Sequence, residues 1–173
     1  MRMAGVRYAC QEFMTKKNGS YTAEDIEILE DLSPILHRPG MYTDPVNPNH
    51  ALVEIIDNAS DEGLAGFARN VAVTLYADGS AEVIDDGRGI PVDMHPRKKI
   101  PAVQVIFTTL HSGGKFRKTD QDAAYRIAGG LHGVGVCVSN ALSTRLEVDV
   151  KRNATVHSLV FGPNGKVKHC LLY

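Results

Sequence analysis

The strongest local pattern in this chain predicts an amphipathic helix from about Asn49 to Phe67. Polar side chains recur at every fourth position, at His50, Glu54 and Asn58. Each step of four residues returns to within roughly 40° on a helix, so these side chains lie along one stripe. The stripe alone fits either a functional site or a solvated face. The opposite, broad face is apolar and needs a second layer of structure to bury it: Leu52, Val53, Ile55, Ile56 and Ala59.

Strands are predicted directly after this helix and again near the end of the sequence. NVAVTLYA and SAEVID are joined by Asp78-Gly79, a pair typical of hairpin turns. Val71, Val73 and Leu75 alternate with other residues, which predicts a sheet with one covered face. Helices are predicted in PAVQVIFTTLH and VGVCVSNAL, and three more strands in TRLEVDVKR, TVHSLVF and KVKHCLLY. The class is therefore α/β, with one domain.

The first part of the sequence has no strong period. Residues 1–20 are polar and aperiodic, so we expect a flexible arm there and a domain over residues 21–173. Thr22 begins an acidic variant of a capping box, and we expect a short helix that ends before Pro34. Residues 38–48 are rich in proline, which predicts a loop.

Charge and cysteine usage exclude several classes of protein. The 173 residues contain 19 basic and 20 acidic residues, with a net charge of −1. This balance argues against a free-standing DNA-binding module, because such modules usually carry a basic excess. The 3 cysteines are far apart and form no C-x-x-C pair, so neither a zinc site nor a disulfide framework is indicated. No apolar run is long enough to span a membrane, and we expect a cytoplasmic protein.

Two glycine-rich segments are candidates for ligand binding. In DDGRGIP, the carboxylate of Asp85 follows a predicted strand, and Gly87 and Gly89 allow close approach of a ligand to the backbone. An ordinary turn at the end of a strand explains this segment equally well. GGLHGVGV, from Gly129 to Val136, precedes a predicted helix and offers backbone N–H groups to an anion. Its glycine spacing matches neither the Walker P-loop nor the dinucleotide fingerprint, so it indicates only a possible phosphate site.

Taken in order, these segments resemble the ATPase superfamily shared by gyrase, the large heat-shock chaperone, histidine kinases and the MutL repair protein. The similarity is strongest to the ATPase domain of bacterial type II topoisomerases, and MYTD…PNH with VDMHP is more similar to topoisomerase IV than to gyrase. The segments that carry it are RPGMY, EIIDNASDEGLAG, IDDGRGIPVDMHP, LHSGGKF and GGLHGVGVCVSNALS. The resemblance implies an α+β two-layer sandwich of the Bergerat type, a mixed sheet covered on one face by helices.

The resemblance also implies roles for the polar stripe and for DDGRGIP. Glu54 would be the general base that polarises the attacking water, and His50 would orient or tune it. Asn58 would ligate Mg²⁺, and Asp85 would read the adenine amine of ATP. Backbone and side chains that would pack around the base are Arg88, Gly89, Ile90 and Pro91.

The segment over residues 112–135 resembles a lid that closes over ATP. Lys115 and Tyr125 would assist at the phosphate and ribose ends, and Tyr21 would reach into the nucleotide site of a second protomer. Backbone groups that would wrap the phosphates are those of Gly130, Leu131, His132, Gly133, Val134, Gly135 and Val136.

The implied partners are those of a topoisomerase: a second copy in a homodimer closed through the N-terminal region, the DNA-cleaving topoisomerase chain, and DNA through the holoenzyme. The sequence stops before the transducer domain that relatives carry, so we expect an N-terminal fragment that binds ATP and hydrolyses it poorly. The leading function is ATP hydrolysis that drives dimer closure and DNA strand passage. Alternatives are a nucleotide-gated dimerisation module with little hydrolysis, and the ATPase chain of gyrase.

Overall fold

The computed structural model describes residues 1–6, 31–112 and 133–172. Its strands are β1 (Arg2–Val6), β2 (Val71–Leu75), β3 (Ala81–Asp85), β4 (Ser143–Arg152), β5 (Thr155–Phe161) and β6 (Val167–Leu172). Its helices are α1 (Ser33–His37), α2 (His50–Leu64), α3 (Ala102–Thr108) and α4 (Gly135–Leu142), with short 3₁₀ turns at Pro39–Met41 and Pro163–Gly165.

The strands form one sheet in the order β2-β3-β1-β4-β5-β6. Every pairing between neighbours in it is antiparallel. We expected a mixed sheet, and for the described strands this detail was wrong. Strand direction follows from how the connections run, which residue patterns within a strand do not reveal.

The sheet packs its helices on one face, as predicted. Along β4, buried Leu146, Val148 and Val150 alternate with more exposed residues, so that one side of the strand faces the core. That core combines strand residues with one side of α2 and α3 and includes Phe107 stacked on Phe161, with ring centroids 5.7 Å apart. A second apolar cluster lies between α1 and α4. The layers match the predicted α+β two-layer sandwich.

The beginning of the chain corrects one expectation. Residues 1–20 were expected to form a flexible arm, but Arg2–Val6 is a strand between β3 and β4. Met3 pairs with Ala81 on one side and Leu146 on the other, and its side chain is buried. Five residues are too few to show a period, and their conformation depends on partners far along the chain. Residues 7–20 lie outside the described residues.

The hairpin was predicted correctly, but its burial was not. Gly79 takes the positive φ of +80° that the Asp78-Gly79 turn needs, and β2 and β3 pair as expected. Every residue of β2 is nevertheless exposed, although its alternation predicted a covered face. Among the described strands, β2 is the outermost at one edge of the sheet and pairs with β3 on one side only.

The helices begin and end close to the predicted positions, with one exception. α2 starts one residue after the predicted start and ends at Leu64, three residues early. Pro34 was expected to follow a helix, but it lies in the first turn of α1. Backbone N–H groups in the first turn have no acceptor within the helix, so proline, which lacks this group, is tolerated there. The helix predicted after Thr22 lies outside the described ranges. In the described ranges, no helix is both long and apolar enough to cross a membrane.

Burial predicts different costs for two leucine-to-alanine substitutions. Leu146 is fully buried and Leu75 is 74% exposed. We expect Leu146→Ala to lower the free energy of unfolding by about 2–5 kcal/mol, because it leaves a cavity in the core. Leu75→Ala should change it by roughly 0.5 kcal/mol or less. Denaturant titrations followed by circular dichroism measure both, and equal losses would contradict the described core.

Candidate functional site

The polar stripe of α2 lies beside the apolar core that holds the helix in place. Ala51, Ile55 and Ala59 are buried against the sheet, whereas His50, Glu54 and Asn58 are partly exposed. His50 Nδ1 is 3.9 Å from Glu54 Oε1, as expected for side chains one turn apart. The predicted stripe is therefore present, and its three residues are partly exposed.

The first residue of α2 is held by a side chain that the sequence did not single out. Thr43 Oγ1 is hydrogen-bonded to His50 Nδ1 at 2.8 Å. Thr43 is buried, and its backbone N–H donates to Pro39 O at 3.0 Å. Thr43 lies in the proline-rich loop, where no periodic pattern could have marked it.

Glu54 meets the first residue of α4. A Cβ added to Gly135 would lie 2.0 Å from Glu54 Oε2, so only glycine leaves room for this carboxylate. The N-terminus of a helix carries partial positive charge and free N–H groups, which favour an anion nearby. The predicted general base and the predicted phosphate loop are thus adjacent.

Hydrogen bonds from buried side chains join α4 to its neighbours. Ser139 Oγ donates to Ala51 O of α2 at 2.7 Å, and Asn140 Nδ2 donates to Phe107 O of α3 at 2.9 Å. Burial raises the pKa of the Cys137 thiol to about 12, and its sulfur contacts Ile106 O at 2.9 Å. Cys137 is therefore a packing residue with no thiolate near neutral pH.

The rest of the phosphate loop is only partly described. Gly133 has a φ of +61°. Val134 directly precedes α4, and its carbonyl oxygen accepts a hydrogen bond from Val138 N at 2.9 Å. Val134 and Val136 pack against the two apolar clusters, so their side chains anchor the loop. Predicted site residues outside the described residues are Tyr21, Lys115, Tyr125, Gly130, Leu131 and His132.

The first aspartate of DDGRGIP is exposed at the end of β3. Asp85 Oδ1 accepts a hydrogen bond from Gly87 N at 2.9 Å. A Cβ on Gly87 would come within 2.8 Å of that oxygen and 3.0 Å of the Glu62 side chain. The glycine thus permits a tight turn that presents the carboxylate at the surface.

The second aspartate has a structural role. Asp86 accepts hydrogen bonds from Arg69 N at 2.7 Å, Asn70 N at 2.9 Å and Asn70 Nδ2 at 2.8 Å. These bonds lower the pKa of the Asp86 carboxyl to about 2. Asp86 therefore ties the loop to the segment that enters β2, whereas the adjacent Asp85 is exposed.

Arg88 is engaged by the end of α2. Its Nη2 donates to Glu62 Oε1 at 2.8 Å and its Nε to Glu62 Oε2 at 3.0 Å, a bidentate ion pair. The guanidinium carbon also lies 3.4 Å from the centroid of Phe67. We predicted that Arg88 stacks on or rims the base, and in this structure its contacts hold the loop against α2.

The remaining loop residues pack against β4. Gly89 has φ of +71°, and its carbonyl accepts a bond from Arg152 Nη1 at 3.0 Å. Ile90 packs against the main core, whereas Pro91 is exposed. Arg152 comes from the distant end of β4, and no local signal in the sequence connected it with this loop.

One helix connects the two predicted ends of the site. Glu54 contacts the start of α4, and Glu62 contacts the DDGRGIP loop through Gly87 and Arg88. Eight helical residues span about 12 Å, so the stripe separates the two loops by that distance. Glu62 continues the spacing of four from Asn58, so the sequence pattern also marks Glu62 as a member of the polar stripe.

The side chains offer few metal ligands. No group of three or more His, Cys, Asp or Glu residues that could hold a metal ion occurs in the described part of the chain. Asn58 supplies one partly exposed amide oxygen in the turn after Glu54. This fits Mg²⁺, which takes few protein ligands when phosphates complete its shell.

Comparison with known proteins identifies the family. A sequence profile described as "Histidine kinase-, DNA gyrase B-, and HSP90-like ATPase" matches residues 43–165, which include α2, the DDGRGIP loop and α4. The chain belongs to this family. The expected Bergerat-type ATP-binding fold is thereby confirmed.

Curated relatives place the chain near topoisomerases within the family. The B subunit of DNA topoisomerase 4 from Francisella tularensis subsp. holarctica (strain LVS) is 54% identical over 149 residues, 86% of this chain and 23% of that protein. Its counterpart from Escherichia coli (strain K12) is 52% identical, with equal coverage. The B subunit of DNA gyrase from Micrococcus luteus is 47% identical over 87% of this chain and 21% of its own length. The chain thus spans less than a quarter of these relatives.

Solved structures agree with this placement. The topoisomerase IV ATP-binding domain of Francisella tularensis, in complex with a small-molecule inhibitor, has a TM-score of 0.66 at 46% identity, covering 83% of this chain and 66% of that one. The 43K ATPase domain of Thermus thermophilus gyrase B, in complex with an aminocoumarin, also has a TM-score of 0.66, at 41% identity, covering 82% and 34%. The predicted resemblance to type II topoisomerase ATPase domains is confirmed.

The hydrogen bonds of Asp86 predict a pH-dependent contribution to stability. Its carboxyl pKa is lowered from 3.8 to about 2, so the folded state favours the charged form. The contribution is complete above the unfolded pKa and is lost as the pH falls through about 2. We expect Asp86→Asn to be less stable than the wild type at pH 6, with a difference that shrinks as the pH falls towards 2. Chemical denaturation at several pH values measures this, and a constant difference would contradict it.

Proposed function

We propose that this chain binds ATP with Mg²⁺ and hydrolyses it as the ATPase part of a type II topoisomerase similar to topoisomerase IV. The observation that supports this most is α2, which carries Glu54 at the start of α4 and Glu62 at the DDGRGIP loop. Family membership supplies ATP as the nucleotide. The higher identity to the topoisomerase 4 relatives than to the gyrase relative favours the topoisomerase IV branch.

In this proposal Glu54 is the general base. Its carboxylate is partly exposed and lies beside the N-terminus of α4, where N–H groups favour phosphate oxygens. Phosphoryl transfer needs mainly positioning and charge stabilisation, so one oriented carboxylate is sufficient to align the attacking water. Asn58 is the proposed Mg²⁺ ligand, and the ion would neutralise phosphate charge when bound.

At the other end, Asp85 is the proposed adenine reader. Its Oδ1 accepts the Gly87 N–H, and the carboxylate stays exposed at the tip of β3. A carboxylate accepts a hydrogen bond from the exocyclic amine of adenine, whereas guanine has a carbonyl at that position. Gly89, Ile90 and Pro91 form the adjoining wall, and Arg88 stabilises this wall through Glu62 and Phe67.

The residues outside the described ranges keep their predicted roles in this proposal. Lys115 and Tyr125 act at the phosphates and the ribose, and Tyr21 reaches a second protomer. Residues 21–173 form the nucleotide-binding unit, to which Arg2–Val6 adds a strand. The amides of Gly130, Leu131 and His132 join those of the described loop residues around the phosphates.

The larger assembly is a proposal drawn from the relatives. A homodimer closed by ATP, the DNA-cleaving topoisomerase chain, DNA held by the holoenzyme and a cytoplasmic location follow from similarity to the topoisomerase 4 relatives. A second candidate is a nucleotide-gated dimerisation module with little hydrolysis. It differs from the first candidate in turnover alone, because the chain would bind the nucleotide at the same site without rapid hydrolysis.

The proposed adenine site predicts the outcome of a binding experiment. We expect the wild-type chain to bind a non-hydrolysable ATP analogue with Mg²⁺, and Asp85→Ala to lose this binding, because the amine of adenine then has no acceptor. Isothermal titration calorimetry measures both, and Asp93→Ala, which removes an exposed carboxylate just after this loop, is the control. Equal affinity of the wild type and Asp85→Ala would remove Asp85 from this role.

The proposed general base predicts a separation of binding from turnover. Glu54→Ala should bind the ATP analogue nearly as the wild type does and hydrolyse ATP on the order of 10²–10⁴ times more slowly. Phosphate release under single-turnover conditions measures the rate. Unchanged hydrolysis would reject Glu54 as the base. Analogue binding without measurable wild-type hydrolysis would favour the nucleotide-gated module.

A further inference from the structure

The geometry around His50 points to an additional residue that acts through it. In the described part of the chain, His50 Nδ1 lies 2.8 Å from Thr43 Oγ1 and 3.9 Å from Glu54 Oε1. The first distance is a hydrogen bond, and the second is too long for one. The imidazole therefore uses this nitrogen for threonine rather than for the carboxylate of Glu54.

Burial of Thr43 determines which partner donates. The residue is 8% exposed, and in the described part of the chain the hydrogen-bond partner of its hydroxyl is His50 Nδ1. A buried hydroxyl proton without an acceptor costs about 1–3 kcal/mol. The proton is satisfied when threonine donates to Nδ1, and the neutral ring then carries its own proton on Nε2.

We propose that Thr43 is a positioning residue that holds His50 as the Nε2–H tautomer and thereby keeps Glu54 available as a base. This inference rests on the proposed function of Glu54. When Nδ1 of His50 accepts the threonine hydrogen bond, this nitrogen carries no proton that it could donate to Glu54. A hydrogen bond from an imidazole N–H would make the Glu54 carboxylate a weaker base, and this bond is not formed while Nδ1 is an acceptor.

The surroundings of Thr43 suit this role. Its backbone N–H donates to Pro39 O, so the backbone that carries the hydroxyl is fixed against the 3₁₀ turn at Pro39–Met41 that precedes it. His50 begins α2, and the same helix carries Glu54 one turn later. Because α2 is buried along its apolar side, the loop and the helix hold the three groups in one arrangement.

The test compares Thr43→Val, which keeps the side-chain shape and removes the hydroxyl, with Thr43→Ser, which keeps the hydroxyl. In Thr43→Val the nitrogen Nδ1 is free to carry a proton and pair with Glu54. We expect single-turnover hydrolysis to fall about fivefold, the equivalent of one hydrogen bond, with analogue affinity unchanged within about twofold. Thr43→Ser should restore the rate. Thr108→Val is the control, because it removes a partly buried 2.8 Å hydroxyl bond to Gln104 O outside the site.

Two further measurements separate positioning from general damage. In a His50→Ala background, Thr43→Val should have no additional effect on the rate, because the residue acts through the imidazole. Nuclear magnetic resonance of ¹⁵N-labelled histidine should show the Nε2–H tautomer at His50 in the wild type and its loss in Thr43→Val. The His50→Ala spectrum assigns the signal, and this readout requires no hydrolysis.

The outcomes distinguish this inference from the proposed function. An Nδ1–H tautomer in the wild type, a spectrum unchanged by Thr43→Val, or an equal rate loss in the His50→Ala background overturns the role of Thr43. Unchanged hydrolysis in Glu54→Ala overturns the role of Glu54, whatever the histidine signals show. If the chain hydrolyses ATP too slowly to measure, the tautomer signals alone decide the assignment of Thr43.

Discussion

The packing of α2 onto the sheet is the constraint on which the site depends. Ala51, Ile55 and Ala59 are buried among strand residues, and this burial orients the polar side of the helix. Glu54 then meets Gly135, and Glu62 meets Arg88. A rotation of α2 by one residue, roughly 100°, would separate both contacts, and in the direction that turns Glu54 towards the sheet it would also bury a carboxylate.

Glycine and hydrogen bonding determine how closely the loops approach this helix. Gly135 leaves space for the Glu54 carboxylate, and Gly87 leaves space for Asp85 and Glu62. On the β4 side of the loop, Arg152 Nη1 donates a hydrogen bond to the Gly89 carbonyl oxygen. At the adenine end and at the phosphate end of the proposed site, the loops are thus positioned by contacts with neighbouring elements. These contacts preorganise the loops before a ligand binds.

Polar residues of the proposed site divide into exposed residues and residues that hold others in place. Asp85 is exposed, whereas the adjacent Asp86 directs its oxygens to Arg69 and Asn70. Glu54 is partly exposed, whereas the buried Thr43 bonds to His50. The distinction depends on hydrogen-bond partners, because the same residue types serve both purposes.

The sequence by itself determined α2, its polar stripe and the hairpin turn, because helical and strand periods and turn residues are local properties. It also supported the family, through Glu54, Asp85 and the glycine loop. The α+β layers followed from the resemblance to the family. Only the tertiary structure decided that Arg2–Val6 is a strand, that β2 is exposed, and that Thr43 and Arg152 reach the site. These features arise from contacts between residues distant in the chain, or from the position of a strand in the sheet, and neither is encoded in a local pattern.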